Sequence, residues 1–200
     1  YGLRPVFEIQ FVDFVSPAWN QLTQNVATMR WRTCSDWPCP VVFYMPYGAY
    51  LPGGSIWHSQ SNEALFAHIP GLRVVVPSTP EDAAALMWTA LHAEDPTIFL
   101  IPKHRFRKQF EVSEPTIEPV PFGKGIIRQE GNDVTIVTWG NCIELAYEAS
   151  DQLRDEMSVE IIDLRSLVPW DRELVRNSLE KTGRLVVIQE DAESCSFGQK

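Results

Sequence analysis

Short apolar runs rich in β-branched residues alternate along the chain with segments whose apolar positions repeat at helical spacing. The short runs predict β-strands, and the segments between them predict helices. We expect strands at residues 6–14 (with the turn that follows), 41–44, 72–76, 97–100, 133–138, 159–163 and 184–189. We expect helices at residues 16–30, 62–67, 78–92, 141–156 and 171–181. Because the two kinds of element alternate, the chain should form an α/β fold with parallel sheets covered by helices on both faces.

Three of the predicted helices carry sequence signals for their ends. Ser16 followed by Pro17 has the form of an N-cap with proline at the first helical position. Residues 78–82 combine capping hydroxyls, a proline and two acids in a first turn. Asp171 is a capping residue for the last helix, and Gly183 follows its end.

A change of pattern divides the chain in two. Residues 111–123 contain Pro115, Pro119 and Pro121 without helical or strand periodicity, which is typical of a linker between domains. We therefore expect one α/β domain at residues 1–110 and another at 124–200. The first begins abruptly and the second stops where a further helix and strand are expected. Both domains are expected to be incomplete at their outer ends.

Composition and charge narrow the classes of function. The 200 residues are 44% hydrophobic and 22% charged, which is ordinary for a globular protein, and the formal net charge is −9. An acidic chain argues against general nucleic-acid binding. No apolar run is long enough to span a bilayer, and the N-terminal residues lack the form of a signal peptide. We expect neither a nucleic-acid partner nor a membrane partner.

Four scattered cysteines bear on the compartment. Cys34 and Cys39 are close enough in sequence to bridge or to share a metal ion, but no second cysteine pair or close histidine completes a zinc-binding set. Together with Cys142 and Cys195, they are expected to be free thiols of a reducing compartment.

The loop at residues 46–60 is the first candidate for a functional site. It follows the predicted strand 41–44, contains two prolines and three glycines, and carries His58 near its end. Loops at the carboxyl ends of strands usually carry the sites of α/β folds, and a histidine there can transfer protons near neutral pH. The alternative is a surface turn with an incidental histidine.

Large apolar side chains surround His58 in the sequence. They could form the wall of a substrate pocket, or they could pack beneath the loop. These residues are Tyr47, Tyr50, Leu51 and Trp57.

A set of short motifs, in order and at conserved spacing, matches one protein family. The motifs are residues 2–5 (Gly-Leu-Arg-Pro), 8–11, 58–61 (His-Ser-Gln-Ser), 68–72, 77–80, 102–103, 133–135, 162–165, 169–171, 181–184 and Glu190. The set resembles the β subunit, or β half, of the thiamine-diphosphate-dependent 2-oxo acid dehydrogenases, and it extends over nearly the whole chain. The resemblance implies a pyrimidine-binding domain with the thiamine-diphosphate-binding fold, followed by a transketolase C-terminal-like domain.

The resemblance also implies a reaction and a set of partners. The reaction is oxidative decarboxylation of a 2-oxo acid on thiamine diphosphate, with acyl transfer to a lipoyl group. A branched-chain substrate is favoured, with pyruvate close behind. The site would be shared with an α subunit or a fused α half, which would hold most of the magnesium site, and a lipoyl-bearing acyltransferase core would accept the product. A heterotetramer or a dimer of fused chains, in the bacterial cytoplasm or the mitochondrial matrix, is therefore expected.

Individual residues take on roles through the same resemblance. His58 resembles the family histidine that faces the reacting carbon and moves protons. Phe14 resembles the aromatic residue that packs on the aminopyrimidine ring, and Gln10 resembles a polar residue that reaches the same ring. A structural potassium ion is implied at five positions, mainly through backbone carbonyls. These are Val41, Ala90, Leu91, Ala93 and Asp95.

Departures from the family pattern leave other functions open. The cofactor-activating carboxylate of the family precedes residue 2, so the chain by itself is expected to be inactive. It could then serve only in subunit assembly and docking to the acyltransferase core. Another transketolase-family enzyme would need basic residues for a substrate phosphate, and Arg105 and Arg107 are candidates. A ligand-binding α/β module, such as an electron-transfer domain, is disfavoured because no Gly-x-Gly-x-x-Gly pattern follows a strand.

Overall fold

The computed structural model describes residues 2–49, 54–106, 108–110 and 118–199. The strands are β1 (Val6–Glu8), β2 (Val42–Tyr47), β3 (Arg73–Val75), β4 (Thr97–Pro102), β5 (Ile126–Gln129), β6 (Val134–Thr138), β7 (Val159–Asp163), β8 (Ser166–Val168) and β9 (Leu185–Val187). The α-helices are α1 (Met29–Arg32), α2 (Glu63–Ala67), α3 (Pro80–His92), α4 (Cys142–Leu153) and α5 (Arg172–Thr182). No helix in these ranges is long and apolar enough to cross a membrane.

The strands form two sheets, and the predicted α/β class is confirmed. The first sheet has the order β1-β2-β4-β3-β8, and the second has the order β5-β7-β6-β9. Most neighbours are parallel, but β8 is antiparallel to β3 and β5 is antiparallel to β7. Neither of these two antiparallel strands was predicted, and the other strand pairs have the predicted parallel orientation. Strand β8 follows β7 after only two residues, but β7 belongs to the second sheet and β8 to the first, so the chain crosses between the sheets at this point.

The first predicted strand differs most from the structure. Residues 6–14 were predicted as a buried strand and turn, but β1 has three residues and all are exposed. It lies at the edge of the described sheet with β2 as its one neighbour, so its two faces need not both be covered by other elements. A 3-10 helix, Val12–Ala18, follows after three residues.

The helix predicted at residues 16–30 is irregular. Ser16 does not cap it, because the helical stretch already begins at Val12, and Pro17 lies inside that stretch. A proline in a helix interior removes a backbone donor and obstructs regular winding. The chain continues through two α-helical residues, Trp19 and Asn20, into a π-helix, Gln21–Val26, and then into α1.

The other helix signals agree with the structure. Thr79 accepts a hydrogen bond from the Asp82 backbone N–H at 3.1 Å, and Pro80 is the first residue of α3. Asp171 accepts from the Leu174 N–H at 3.1 Å, and the left-handed Gly183 ends α5.

Buried charges join the two halves of the chain. Arg128 binds Asp163 at 2.9 Å and also pairs with Asp82, which binds Arg165 at 3.1 Å. Asp163 is fully buried, and burial raises the pKa of its carboxyl while Arg128 opposes that shift. Ions removed from water must be paired, and breaking such a pair costs about 3–5 kcal/mol. The cluster therefore holds α3 of the first half against β5 and β7 of the second.

A buried glutamate lies at the same junction. Glu63 in α2 is fully buried, and its Oε1 accepts a hydrogen bond from Trp139 Nε1 at 3.0 Å. Its Oε2 has no hydrogen-bond partner among the described residues. Burial raises the pKa of Glu63 from 4.5 to about 7, although the Trp139 hydrogen bond acts in the opposite direction.

The Glu63→Gln variant should change how stability depends on pH. Between pH 4.5 and about 7 the folded protein keeps a proton on Glu63 that the unfolded chain releases, so wild-type stability falls as pH rises through this window. Glutamine does not titrate. As pH rises through this window, the free energy of unfolding of the variant should therefore increase by about 3 kcal/mol relative to that of wild type.

Urea unfolding at a series of pH values measures this difference. The exposed Glu148→Gln substitution in α4 is the matched control and should show no such trend. An unchanged pH dependence in Glu63→Gln would contradict the assignment.

Candidate active site

The carboxyl ends of β1, β2 and β4 bring the site segments together. The register pairs Tyr47 with Pro102, so the loop after β2 starts beside Lys103. Strand β2 extends three residues beyond its predicted end and includes Pro46. At Pro46 the strand pairs with β4 only, because the pairing of β2 with β1 ends before this residue. The missing N–H of Pro46 therefore removes no bond to β1.

His58 follows a single 3-10 turn, Ser55–Trp57, and is half-buried. Its Nδ1 lies 3.3 Å from the carbonyl oxygen of Gly54. Since a carbonyl can only accept, Nδ1 carries the hydrogen in this contact, and Nε2 is the nitrogen left to accept a proton.

Two phenylalanine rings contact the His58 ring edge-on. The centroid of Phe11 lies 4.7 Å away at 89°, and that of Phe14 lies 5.4 Å away at 90°. Phe14 remains 45% exposed, so part of its surface is free to pack against a flat ring. The structure thus places two of the predicted site residues, His58 and Phe14, in contact.

Gln10 is not part of this cluster. Its side chain is exposed, and none of the described hydrogen bonds involves it. It lies one residue before Phe11, on the same segment that leaves β1.

Asp13 and Lys103 bind the backbone around His58 through hydrogen bonds, although the sequence analysis assigned them no role. Asp13 Oδ1 accepts from the N–H groups of Ser59 and Gln60, both at 3.1 Å. Lys103 Nζ donates to the His58 carbonyl and lies 4.9 Å from the Phe11 ring centroid. Burial lowers the pKa of Lys103, and the charges of Asp13 and Glu190 oppose this. The position of Asp13 directly before Phe14 and the Pro102-Lys103 motif were the only signals in the sequence.

The second half of the chain contacts the start of the same loop. Glu190 accepts from the Ala49 N–H at 2.6 Å through Oε1 and from Asn141 Nδ2 at 2.7 Å through Oε2. Gly48 has φ +83°, and a Cβ there would lie 2.8 Å from both Asn141 Nδ2 and Glu190 Oε2. Only glycine fits this close approach without displacing those groups.

The apolar residues near His58 in the sequence differ in how deeply they are buried. Tyr47 is buried beneath the loop and packs against Gly140, where a Cβ would lie 2.2 Å from its hydroxyl. Trp57 and Ile56 are each 65% exposed beside His58. Tyr50 and Leu51 lie outside the described residues.

The positions implied for potassium already face a cation. The Arg4 guanidinium donates to the carbonyls of Leu91 and Ala93. The Asp95 carboxylate binds Arg30 at 2.6 Å and Arg73 at 3.2 Å. The remaining carbonyls accept backbone hydrogen bonds, Val41 from Thr97 at 2.9 Å and Ala90 from Ala93 at 3.3 Å. As arranged here, the residues fit a guanidinium rather than an additional ion.

Arg105, a candidate for binding a substrate phosphate, is engaged elsewhere. It pairs with Glu144, which also binds Lys108, and its guanidinium lies 4.9 Å from the Phe110 ring centroid. Arg107 lies outside the described residues. The contacts of Arg105 do not favour a phosphate-handling enzyme.

The cysteines take no part in the site. All four are free thiols, and burial raises the pKa of Cys142 to about 12, so its unreactive thiol form dominates. In the described part of the chain, no group of three His, Cys, Asp or Glu side chains could hold a metal ion.

Comparison with known families agrees with this architecture. Residues 1–109 match the family described as transketolase, pyrimidine binding domain, and residues 123–200 match transketolase, C-terminal domain. The chain therefore belongs to the transketolase family.

Within that family, the chain is similar to β subunits of 2-oxo acid dehydrogenases, which confirms the resemblance found from the motifs. The 2-oxoisovalerate dehydrogenase subunit beta of Bacillus subtilis (strain 168) is 40% identical over 199 residues, covering 98% of this chain and 60% of that protein. The pyruvate dehydrogenase E1 component subunit beta of Leifsonia xyli subsp. xyli (strain CTCB07) is 41% identical, covering 100% of this chain and 59% of that protein.

A solved structure has the same fold. It is described as a split gene transketolase, inactive beta4 tetramer, and it matches with a TM-score of 0.79 and 25% identity over 99% of this chain and 61% of that chain. The chain thus spans about 60% of the length of each of these three relatives.

Proposed function

We propose that the chain is the β part of the decarboxylating component of a 2-oxo acid dehydrogenase. The complete enzyme would oxidatively decarboxylate a 2-oxo acid and transfer the acyl group to a lipoyl group. The observation that carries this proposal is the contact between His58 and the exposed Phe14 at the carboxyl edge of the first sheet. The names of the relatives support it.

The side chains present suit thiamine diphosphate. When bound, this cofactor supplies the nucleophilic carbon and the electron sink for decarboxylation. The half-exposed Phe14 ring would pack on the flat aminopyrimidine, and Gln10 would reach its polar edge. His58 would hold or transfer a proton through Nε2. The pyrophosphate and magnesium would be held mainly by the partner domain.

The exposed side chains near His58 favour an apolar substrate. Ile56 and Trp57 present large apolar surfaces beside the histidine, as expected of a pocket for a branched side chain. We propose a branched-chain 2-oxo acid first and pyruvate second; relatives of both names resemble the chain, at 40% and 41% identity.

The surface of the first sheet supports association with a partner. Strand β1 is an edge, and Leu3, Val6 and Phe7 on and before it are 80%, 48% and 53% exposed. An apolar unpaired edge is a surface that proteins usually cover. We propose an α subunit or fused α half as partner, in a heterotetramer or a dimer of fused chains, with a lipoyl-bearing acyltransferase as the next component. The division into domains at 1–110 and 124–200, and a bacterial cytoplasmic or mitochondrial matrix location, belong to the same proposal.

A second candidate is a role in assembly and docking alone. The observation that favours it is the description of the split transketolase neighbour as an inactive tetramer of beta chains. On this alternative, the chain would contribute surface but no catalytic group.

The His58→Ala variant separates the two functions. In the parent enzyme assembled with its partner chain, thiamine diphosphate and magnesium, we expect kcat to fall about 10²–10⁴-fold, because a positioned proton-transfer group is lost. Cofactor affinity should be retained. Acceptor-dependent decarboxylation of 3-methyl-2-oxobutanoate and of pyruvate measures both the loss and the substrate preference.

The exposed His68→Ala variant is the matched control and should keep wild-type activity. Full activity in His58→Ala would refute the role of His58. Turnover of neither acid by the wild-type enzyme would favour the docking function.

Potassium is part of the proposal only as a competitor of Arg4. An ion at the carbonyls of Leu91 and Ala93 would have to displace the guanidinium that now contacts them. Removing that side chain should therefore strengthen potassium binding. In the Arg4→Ala variant we expect potassium to stabilise the fold by roughly 1–3 kcal/mol at ten to a hundred times its dissociation constant, and to stabilise wild type less.

Thermal unfolding in potassium chloride and in sodium chloride at equal ionic strength measures this effect. The exposed Arg32→Ala variant controls for the loss of a positive charge. Equal responses to both salts in Arg4→Ala would remove potassium from the proposal.

A further inference from the structure

We propose that Asp13 is a positioning residue for His58. Its carboxylate holds the backbone of Ser59 and Gln60 and thereby sets where the imidazole lies relative to Phe14. The inference rests on the proposed function, because it assigns Asp13 a role in that same site.

The contact geometry is the first argument. One carboxylate oxygen, Oδ1, accepts from the two N–H groups that directly follow His58. Hydrogen bonds to an ionised acceptor are stronger than neutral ones, and two donors on one oxygen fix the direction of the peptide units. Because Asp13 directly precedes Phe14, the same short segment presents the aromatic ring and holds the histidine backbone.

Lys103, the residue directly after β4, supports the same arrangement. It donates to the carbonyl of His58, so the C=O of the histidine and the next two N–H groups are all bound by charged side chains. Lys103 is only 6% exposed, and the second oxygen of Asp13 is buried with no hydrogen-bond partner among the described residues. The opposite charges compensate each other in a place where either one alone would be costly.

The contacts of Asp13 and Lys103 are made with the backbone next to His58, so they set the orientation of the imidazole ring and do not touch its nitrogens. The His58 ring lies edge-on to both Phe11 and Phe14, so a shift of its backbone would move Nε2 away from the exposed Phe14 surface. A misplacement of about 1 Å in a reacting group can lower a rate by about 10²-fold.

The first test is a double-mutant cycle in the assembled parent enzyme. Asp13→Ala should lower kcat about 10–100-fold, because both backbone contacts are lost. Asp13→Asn should recover most of this loss, because its amide oxygen still accepts from both N–H groups. If Asp13 acts through His58, adding Asp13→Ala to His58→Ala should cause little further loss.

The matched control is Asp133→Ala. Asp133 accepts from the Ser158 N–H at 2.7 Å in the same kind of contact, but it lies in the second half of the chain away from His58. This variant should keep wild-type kcat. Losses from Asp13→Ala and His58→Ala that multiply in the double variant would show an ordinary structural effect and overturn the proposal.

The second test does not depend on activity. Amide hydrogen exchange of Ser59 and Gln60 in the assembled enzyme should quicken about tenfold or more in Asp13→Ala, and should not change in Asp133→Ala. Unchanged exchange in Asp13→Ala would also overturn the proposal. Turnover of neither 2-oxo acid by the wild-type enzyme would refute the proposed function instead, and the exchange rates would still decide whether Asp13 holds this loop.

Discussion

The pairing of buried charges between the two halves is the constraint on which the rest of the structure depends. Asp82 at the start of α3 and Asp163 at the end of β7 are both withdrawn from water. Each is stable there only because Arg128 lies between them, with Arg165 completing the pairing of Asp82. Relative sliding of the halves would leave at least one of these charges unpaired, so their mutual orientation is narrowly defined.

That orientation extends the site into the second half of the chain. Once α3 and β7 are held together, Glu190 reaches the Ala49 N–H and Asn141 packs beside Gly48, at the start of the loop that leads to His58. Strand β8 strengthens the junction by adding to the first sheet beside β3. The C-terminal half therefore shapes the loop of the N-terminal half through direct contacts, in addition to any surface it offers to partners.

Sequence signals for helix ends were reliable where contacts between residues close in the chain form the structure. The Thr79 and Asp171 caps and the Gly183 stop were found because each satisfies or ends a helix by contacts within a few residues. The burial of β1 and the cap at Ser16 were mispredicted for the opposite reason. Exposure of an edge strand depends on how many neighbours it has, and the irregular helix that contains Pro17 depends on the packing around it.

The sequence by itself determined the alternation of strands and helices, because hydrophobic periodicity is a local pattern. It also determined the family and the candidates His58 and Phe14, because short motifs identify them. Only the tertiary structure decided which distant groups meet. Lys103 reaches the His58 carbonyl because the register of β2 and β4 places their ends together, and Asp13 reaches Ser59 because β1 ends at the same edge. Such contacts depend on strand order, and β2 lies beside β4 although β3 separates them in the chain, so no local pattern encodes their meeting.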